Sequence, residues 1–427
     1  MQPSQRIAES LQDQSTTWRT VAWWLAVCAV TVALLVLRRP DAVLNPQFFA
    51  EDGAVWYQQA CNDGAINSLL RTNNGYFQTF SRFVAIIALG VPLARAPLVL
   101  NLTAILVEAL PALFLVSSRM RNLGGLPLRG ALALLYLMVP NAGELHANIT
   151  NAPWNLAVLA FLVLIAETPR SWAGRVFDLT VMVLTAVTGP FCILLLPVAI
   201  LYVGFRQKTW KTVLLAVLAG GVMLQALALL LAGHQRTHQQ LGASLVGFCR
   251  IVAGQVILPV LQGRNRLDHL AHSARGVSIL ACLVTVLAAL VFGYALRRGS
   301  LELRSFVLFA MLLLAASLAF PTPNATGDQW GPLQQPGGVA RYWYIPEMAA
   351  MAVVLWLLGK GRPAALRVAA AVLICFMVFG AVKHWRYTSF PDLHFAEYAR
   401  RFAQLPPGAS LKIPINPQRW EMTLVRK

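Results

Sequence analysis

TVAWWLAVCAVTVALLVL, residues 20–37, is a run of eighteen residues without a single charge, bounded by Arg19 on one side and Arg38-Arg39 on the other. A bilayer-spanning helix needs about 20 predominantly apolar residues, and this run meets that requirement once its flanks are included. The residues before it are polar and carry Arg6 and Arg19, and no A-x-A cleavage site precedes Arg38, so the run reads as a retained signal anchor with the N-terminus inside.

Working outward, apolar runs of the same kind recur at 97–118, 129–141, 154–167, 176–189, 190–205, 212–232, 276–296, 303–320, 345–358 and 367–382. The fold predicted is all-α, a polytopic transmembrane helix bundle of about eleven spans with the N-terminus in and the C-terminus out. It divides into a cytoplasmic segment 1–19, a membrane domain 20–382 and an extracytoplasmic tail 383–427. Composition agrees, since 57% of the 427 residues are hydrophobic and 12% are charged, about half the charge of a soluble domain. That excludes an ordinary soluble enzyme and a disordered chain, and 6 cysteines are too few for a disulfide scaffold. A multi-pass protein of the bacterial inner (cytoplasmic) membrane is the expected setting.

The 35 basic residues outnumber the 17 acidic ones, for a net charge of +18. They fall in short clusters between apolar runs, at Arg119/Arg121/Arg129, Arg170/Arg175, Arg206/Lys208/Lys211, Arg297/Arg298/Arg304 and Lys360/Arg362/Arg367. This is the pattern of topology anchors and lipid headgroup contacts, not the concentrated basic face of a nucleic-acid binder. Placing all five clusters inside requires Phe77 to Pro92, short and interrupted by Arg82 and Gly90, to lie in the outer interface instead of crossing. The long loops 38–96, 142–153, 233–275 and 321–344 and the tail then share the outer face, where the polar residues gather and function is to be sought.

Four stretches stand out there. In Phe48-Phe49-Ala50-Glu51-Asp52-Gly53 two adjacent carboxylates sit among aromatic residues, where desolvation and mutual repulsion raise the pKa of at least one and suit it to act as a base or metal ligand. The alternative is a solvated helix N-cap. Asn73-Asn74-Gly75 is ordinary turn chemistry, with the alternative that it positions Tyr76 and Arg82 near a polar substrate. Glu144, His146, Asn148 and Asn151 form a dense patch able to orient hydroxyl groups. Arg341, preceded by Gly337-Gly338 and followed by Tyr342 and Tyr344, suits a bidentate phosphate clamp. Loop 233–275 adds a basic lining in which Arg264 and Arg266 are the candidate phosphate partners; His269 and His272 lack the carboxylates that a dedicated metal site collects. Asn148-Ile149-Thr150 and Asn324-Ala325-Thr326 match a glycosylation pattern by chance. Glu108 stands in the middle of a span, where a carboxylate marks a site or is hydrogen-bonded to another helix. Cys61 and Cys249, the outer cysteines, leave room for one disulfide.

An acidic pair opening the first outer loop, an interfacial helix within that loop, a polar second loop and a late Arg-Tyr loop together resemble the GT-C superfamily of polytopic glycosyltransferases. That superfamily includes protein O-mannosyltransferases, aminoarabinose transferases and the mannosyltransferases of anchor biosynthesis. The resemblance implies a polyprenyl-phosphate sugar donor, a glycan or lipid acceptor, membrane lipids as partners and no nucleic acid. It implies catalysis by Asp52, with Glu51 as alternate, and substrate binding by Arg341, Tyr342, Tyr344, Glu144, His146, Asn148, Arg264, Arg266, Tyr76 and Arg82. No cofactor is indicated, with room left for a divalent cation; the chain departs from better-known members in lacking a large soluble C-terminal domain and a clear second acidic pair. A transporter or flippase, or a polymerase or ligase, of lipid-linked saccharides is the competing expectation.

Overall fold

The computed structural model describes residues 3–206, 209–231, 240–263, 267, 273–321, 327–335 and 339–427, with side chains from Trp18 onward. Within them the chain is mainly helical. The first helix, α1 (Pro3–Arg38), carries the opening apolar run. After the first outer loop, with its short hairpin of β1 (Thr72–Asn73) and β2 (Tyr76–Phe77), come α2 (Thr79–Ala88) and α3 (Ala96–Val116), followed by α4 (Leu126–Leu137), α5 (Ala152–Ile165), α6 (Trp172–Ala186), α7 (Phe191–Arg206) and α8 (Thr209–Leu231). An apolar helix with a π-helical middle, α9 (Leu245–Gln262), leads to α10 (Ala274–Arg298), α11 (Leu301–Ala319), α12 (Tyr344–Leu357) and α13 (Ala364–Lys383). The tail adds α14 (Phe395–Gln404) and two strands. Among the described residues, seven helices are long and apolar enough to cross a membrane, and five further apolar helices have 10–17 residues.

Local chemistry sets the ends. Pro97, Pro127 and Pro153 sit in the first turns of α3, α4 and α5, where a missing N–H costs nothing. Ser171, Ser244, Ser273 and Ser300 cap α6, α9, α10 and α11 by accepting a backbone N–H three residues on. α5 is buried at every position except Trp154, as an all-apolar helix must be when it forms the centre of a bundle.

Two apolar segments lie across one end of this bundle. α2 has only ten residues, about 15 Å at the helical rise. It starts at the Gln78–Thr188 bridge beyond α6 and leads directly into α3. α9 is long enough to span, yet its start packs on Trp330 and Gln334 and its end on Gly380 and His384, all at the end of the bundle that carries the long loops. There Gly263 and Gly380 meet backbone to backbone, and a Cβ on Gly380 would lie 2.7 Å from the Gly263 nitrogen.

The tail is not a loose appendage. β3 (Ser410–Ile415) and β4 (Trp420–Val425) form an antiparallel hairpin whose Ile413, Ile415, Met422 and Leu424 alternate inward onto Phe48, Trp56, Phe80 and Phe395. Asn416 bridges the first outer loop: its carbonyl accepts from Ala50 N at 2.5 Å and its N–H donates to Phe48 O at 3.1 Å. Gln58 and Asn62 satisfy the free edge of β4 at Thr423 and Val425. Cys61 packs on this cluster and Cys249 lies against α10; both are free thiols, so no bridge joins them.

Candidate functional site

Where the loops meet at that end, a cavity of about 560 Å³ opens, within the range of small-molecule sites. Its polar wall comes from three loops. The first supplies Glu51, Asn73, Asn74, Tyr76 and Gln78, the second Glu144, Thr150 and Asn151, and the turn before α12 supplies Arg341 and Tyr342. Phe191, Ile193 and Leu194 of α7 face Leu313 and Ala316 of α11 and the adjoining Phe320 to make an apolar wall, and Pro417 and Trp420 of the tail hairpin complete the lining.

The acidic pair divides its labour. Glu51 is half-buried on the cavity wall, whereas Asp52 is 1% exposed and takes no part in that wall. Asp52 Oδ1 accepts from Thr150 N at 2.8 Å and Thr150 Oγ1 at 2.6 Å, and Oδ2 accepts from Ile149 N at 3.1 Å. It is the peg that joins the first loop to the second. Burial pushes its pKa up to about 7, against the pull of the hydrogen bonds from Thr150 and Ile149. A carboxylate with both oxygens already accepting is poorly placed to take a proton from a substrate, whereas Glu51 stands on the cavity wall. Trp56, 2% exposed at the cavity's edge, donates Nε1–H to Thr150 Oγ1 at 2.9 Å and extends the same linkage.

Arg341 and Glu144 come together on the cavity wall as partners of each other. Glu144 forms an ion pair with the guanidinium and accepts the Arg341 backbone N–H at 3.1 Å. Burial by itself would lower the Arg341 pKa; Glu144 beside it more than offsets this, and the net shift is upward. The guanidinium also lies 5.2 Å from the Tyr342 ring, which in turn approaches Trp154 at 6.3 Å.

Other expected site residues are elsewhere. His146 is wholly buried, and its Nδ1 stands 3.1 and 2.9 Å from the two oxygens of Glu108. The mid-span Glu108 therefore has its partner. Asn148 is consumed by its own loop, donating to Glu144 O and accepting from Asn151 N. Tyr344 points into the bundle and donates to Asn155 Oδ1 at 2.8 Å. Arg82, fully buried behind Trp56 at 4.9 Å, donates to Gln59 Oε1. None of these four lines the cavity, because each is held by partners behind its wall. Arg264 and Arg266, His269 and His272, Gly337-Gly338 and the Asn324 pattern lie outside the described residues.

The sequence reading passed over Trp56, Trp154, Thr150, Pro417 and Trp420, and also Glu347, another buried carboxylate, which accepts from Asn141 Nδ2 at 3.0 Å. It took Arg38 and Arg39 as flanks, whereas both clamp the second loop: Arg38 donates to Leu137 O and Val139 O, and Arg39 to His146 O. Among the described residues no three His, Cys, Asp or Glu side chains converge as a metal site. Glu51 and Glu144 are the carboxylates of the cavity wall, and Glu144 is committed to Arg341.

No family model and no curated protein sequence matches the chain. Among solved structures it is similar to the apo crystal structure of the Archaeoglobus fulgidus oligosaccharyltransferase, at 12% identity and a TM-score of 0.45, over 92% of this chain and 59% of that one. The chain thus spans about three fifths of that protein's length.

Proposed function

We propose that this chain is a membrane glycosyltransferase that moves a sugar from a polyprenyl-phosphate donor to an acceptor hydroxyl at the outer face of a bacterial inner membrane, in cell-envelope glycan modification. The observation that carries this reading is the cavity itself. The Glu51 carboxylate and the ion pair of Arg341 with Glu144 stand on a polar, aromatic wall opposite an apolar wall between α7 and α11. Such a division suits an amphiphile with a sugar-phosphate head and an isoprenoid tail. Glu51 is the base in this reading. The acceptor oxygen attacks the anomeric carbon, its proton passes to the Glu51 carboxylate, and the bond from that carbon to the phosphate oxygen breaks with its electron pair leaving on the phosphate. Arg341 stabilises the departing charge, with Glu144 holding the guanidinium in place until the phosphate competes for it. Trp154, Tyr76 and Trp420 offer aromatic faces to sugar rings.

The pairing of Glu108 with His146 ties that carboxylate to the second loop, which favours transfer over the transporter alternative. Mass spectrometry of envelope glycans from cells with and without this protein tests the proposal. A modification that disappears with the protein, and also in the Glu51→Gln variant, supports it. An unchanged glycan profile with lipid-linked saccharide accumulating in one leaflet would replace transfer by transport.

A further inference from the structure

A second cavity lies at the opposite end of the bundle. α4 and α11 run from its mouth toward the candidate site, and α5 and α12 return, so the two open at opposite ends of these helices. It is a crevice of about 180 Å³ walled by Leu132, Phe161, Phe306, Met351, Leu355 and Trp356. Its inner limit is Tyr136, whose hydroxyl lies 2.8 Å from the Glu108 carbonyl and 2.9 Å from Asn155 Oδ1, both acceptors for its one proton, so the apolar space stops where the polar network begins. Its mouth is formed by Leu123, Leu128, Ser300 and Glu302, with Leu128 40% exposed.

The charge at that mouth is one-sided. Glu302 is the one carboxylate among the lining residues, and Arg206 neutralises it at 2.7 Å. That leaves Arg362, stacked 4.0 Å over the Trp356 ring that walls the crevice, and Arg121, exposed on the turn Ser118–Leu123 whose last residue is at the mouth. An apolar slot within the membrane, ending at a positively charged rim, matches an amphiphile with an anionic head.

We propose that this crevice binds an acyl chain of an anionic phospholipid whose phosphate sits between Arg121 and Arg362. The ligand is a constituent of the leaflet opposite the candidate site and is independent of the sugar chemistry proposed above.

Thermal unfolding of the purified full chain in detergent, titrated with phosphatidylglycerol, phosphatidylcholine, inorganic phosphate or a polyprenyl phosphate, tests this. Phosphatidylglycerol should raise Tm saturably while phosphatidylcholine and free phosphate do not. Ala352→Phe, which fills the crevice without touching the rim, should abolish the shift, and Leu132→Phe serves the same purpose if the first variant fails to fold. The double change Arg121→Gln with Arg362→Gln should weaken half-saturation about 30-fold, at about 1 kcal/mol per arginine. A shift that survives in the filled variants, or that phosphatidylcholine produces equally, overturns the site. A shift given by the polyprenyl phosphate alone assigns the crevice to a carrier lipid and overturns the phospholipid assignment.

Discussion

At the scale of single residues, the account turns on which member of the acidic pair meets the substrate. Glu51→Gln should lower single-turnover transfer by about 100- to 10,000-fold, the usual worth of a general base, while donor affinity changes little. Asp52→Asn should cost far less in rate, because it loosens the link to Thr150 without removing a group from the cavity wall. Equal losses in both variants would return the base to Asp52. The buried Asp52 also makes a stability prediction. Its pKa in the folded chain, about 7, lies above the ordinary 3.8, so its favourable contribution is complete below about pH 4 and disappears as pH rises through 7. The Tm of the wild type measured against Asp52→Asn should therefore fall between pH 4 and 7 and level off above. Arg341→Lys keeps the charge and loses the fork, and donor affinity should drop about 10- to 100-fold in a binding assay with intact membrane insertion. The identities Glu51, Asp52, Glu144 and Arg341 were legible in the sequence because charges beside aromatic residues and membrane edges are costly. Their partners were not, since the Glu108–His146 and Glu144–Arg341 pairs join positions 38 and 197 residues apart.

At the scale of elements, the site depends on the tail hairpin resting against the first outer loop. Gly53 is the contact point: a Cβ there would lie 2.8 Å from Ile415 Cδ1 and 3.0 Å from Phe48 Cβ, both on buried residues. Gly53→Ala should destabilise by about 1–3 kcal/mol through overpacking, visible as a lower Tm, and should reduce transfer through displacement of Glu51. Normal stability and activity in this variant would detach the hairpin from the site. The short strand in the tail could be read from Ser410-Leu411-Lys412-Ile413-Pro414-Ile415. Its docking could not, because the bridge from Phe49 to Asn416 is a backbone contact between distant segments and leaves no pattern in either.

At the scale of the whole molecule, the bundle was legible from apolar run length alone, since a low-dielectric solvent permits few alternatives. The apolar segment 245–262 illustrates the limit of that reasoning: its length suits a span, and only its packing at both ends sets it across one end of the bundle. Single cysteines at Asn73 and at the exposed Arg95 should label from outside, and those at Arg121 and Lys360 only from inside. Labelling of Arg95 from the cytoplasm would make α2 a true span and invert every later helix. The central claim meets its most direct test in single-turnover consumption of a radiolabelled synthetic polyprenyl-phosphate sugar by the purified chain in nanodiscs, with cell-envelope extract as acceptor. The account predicts label transferred to the extract by the wild type and withheld by Glu51→Gln at unchanged donor affinity. Donor that binds with no label transferred by the wild type, or transfer by Glu51→Gln at the wild-type rate, would contradict it.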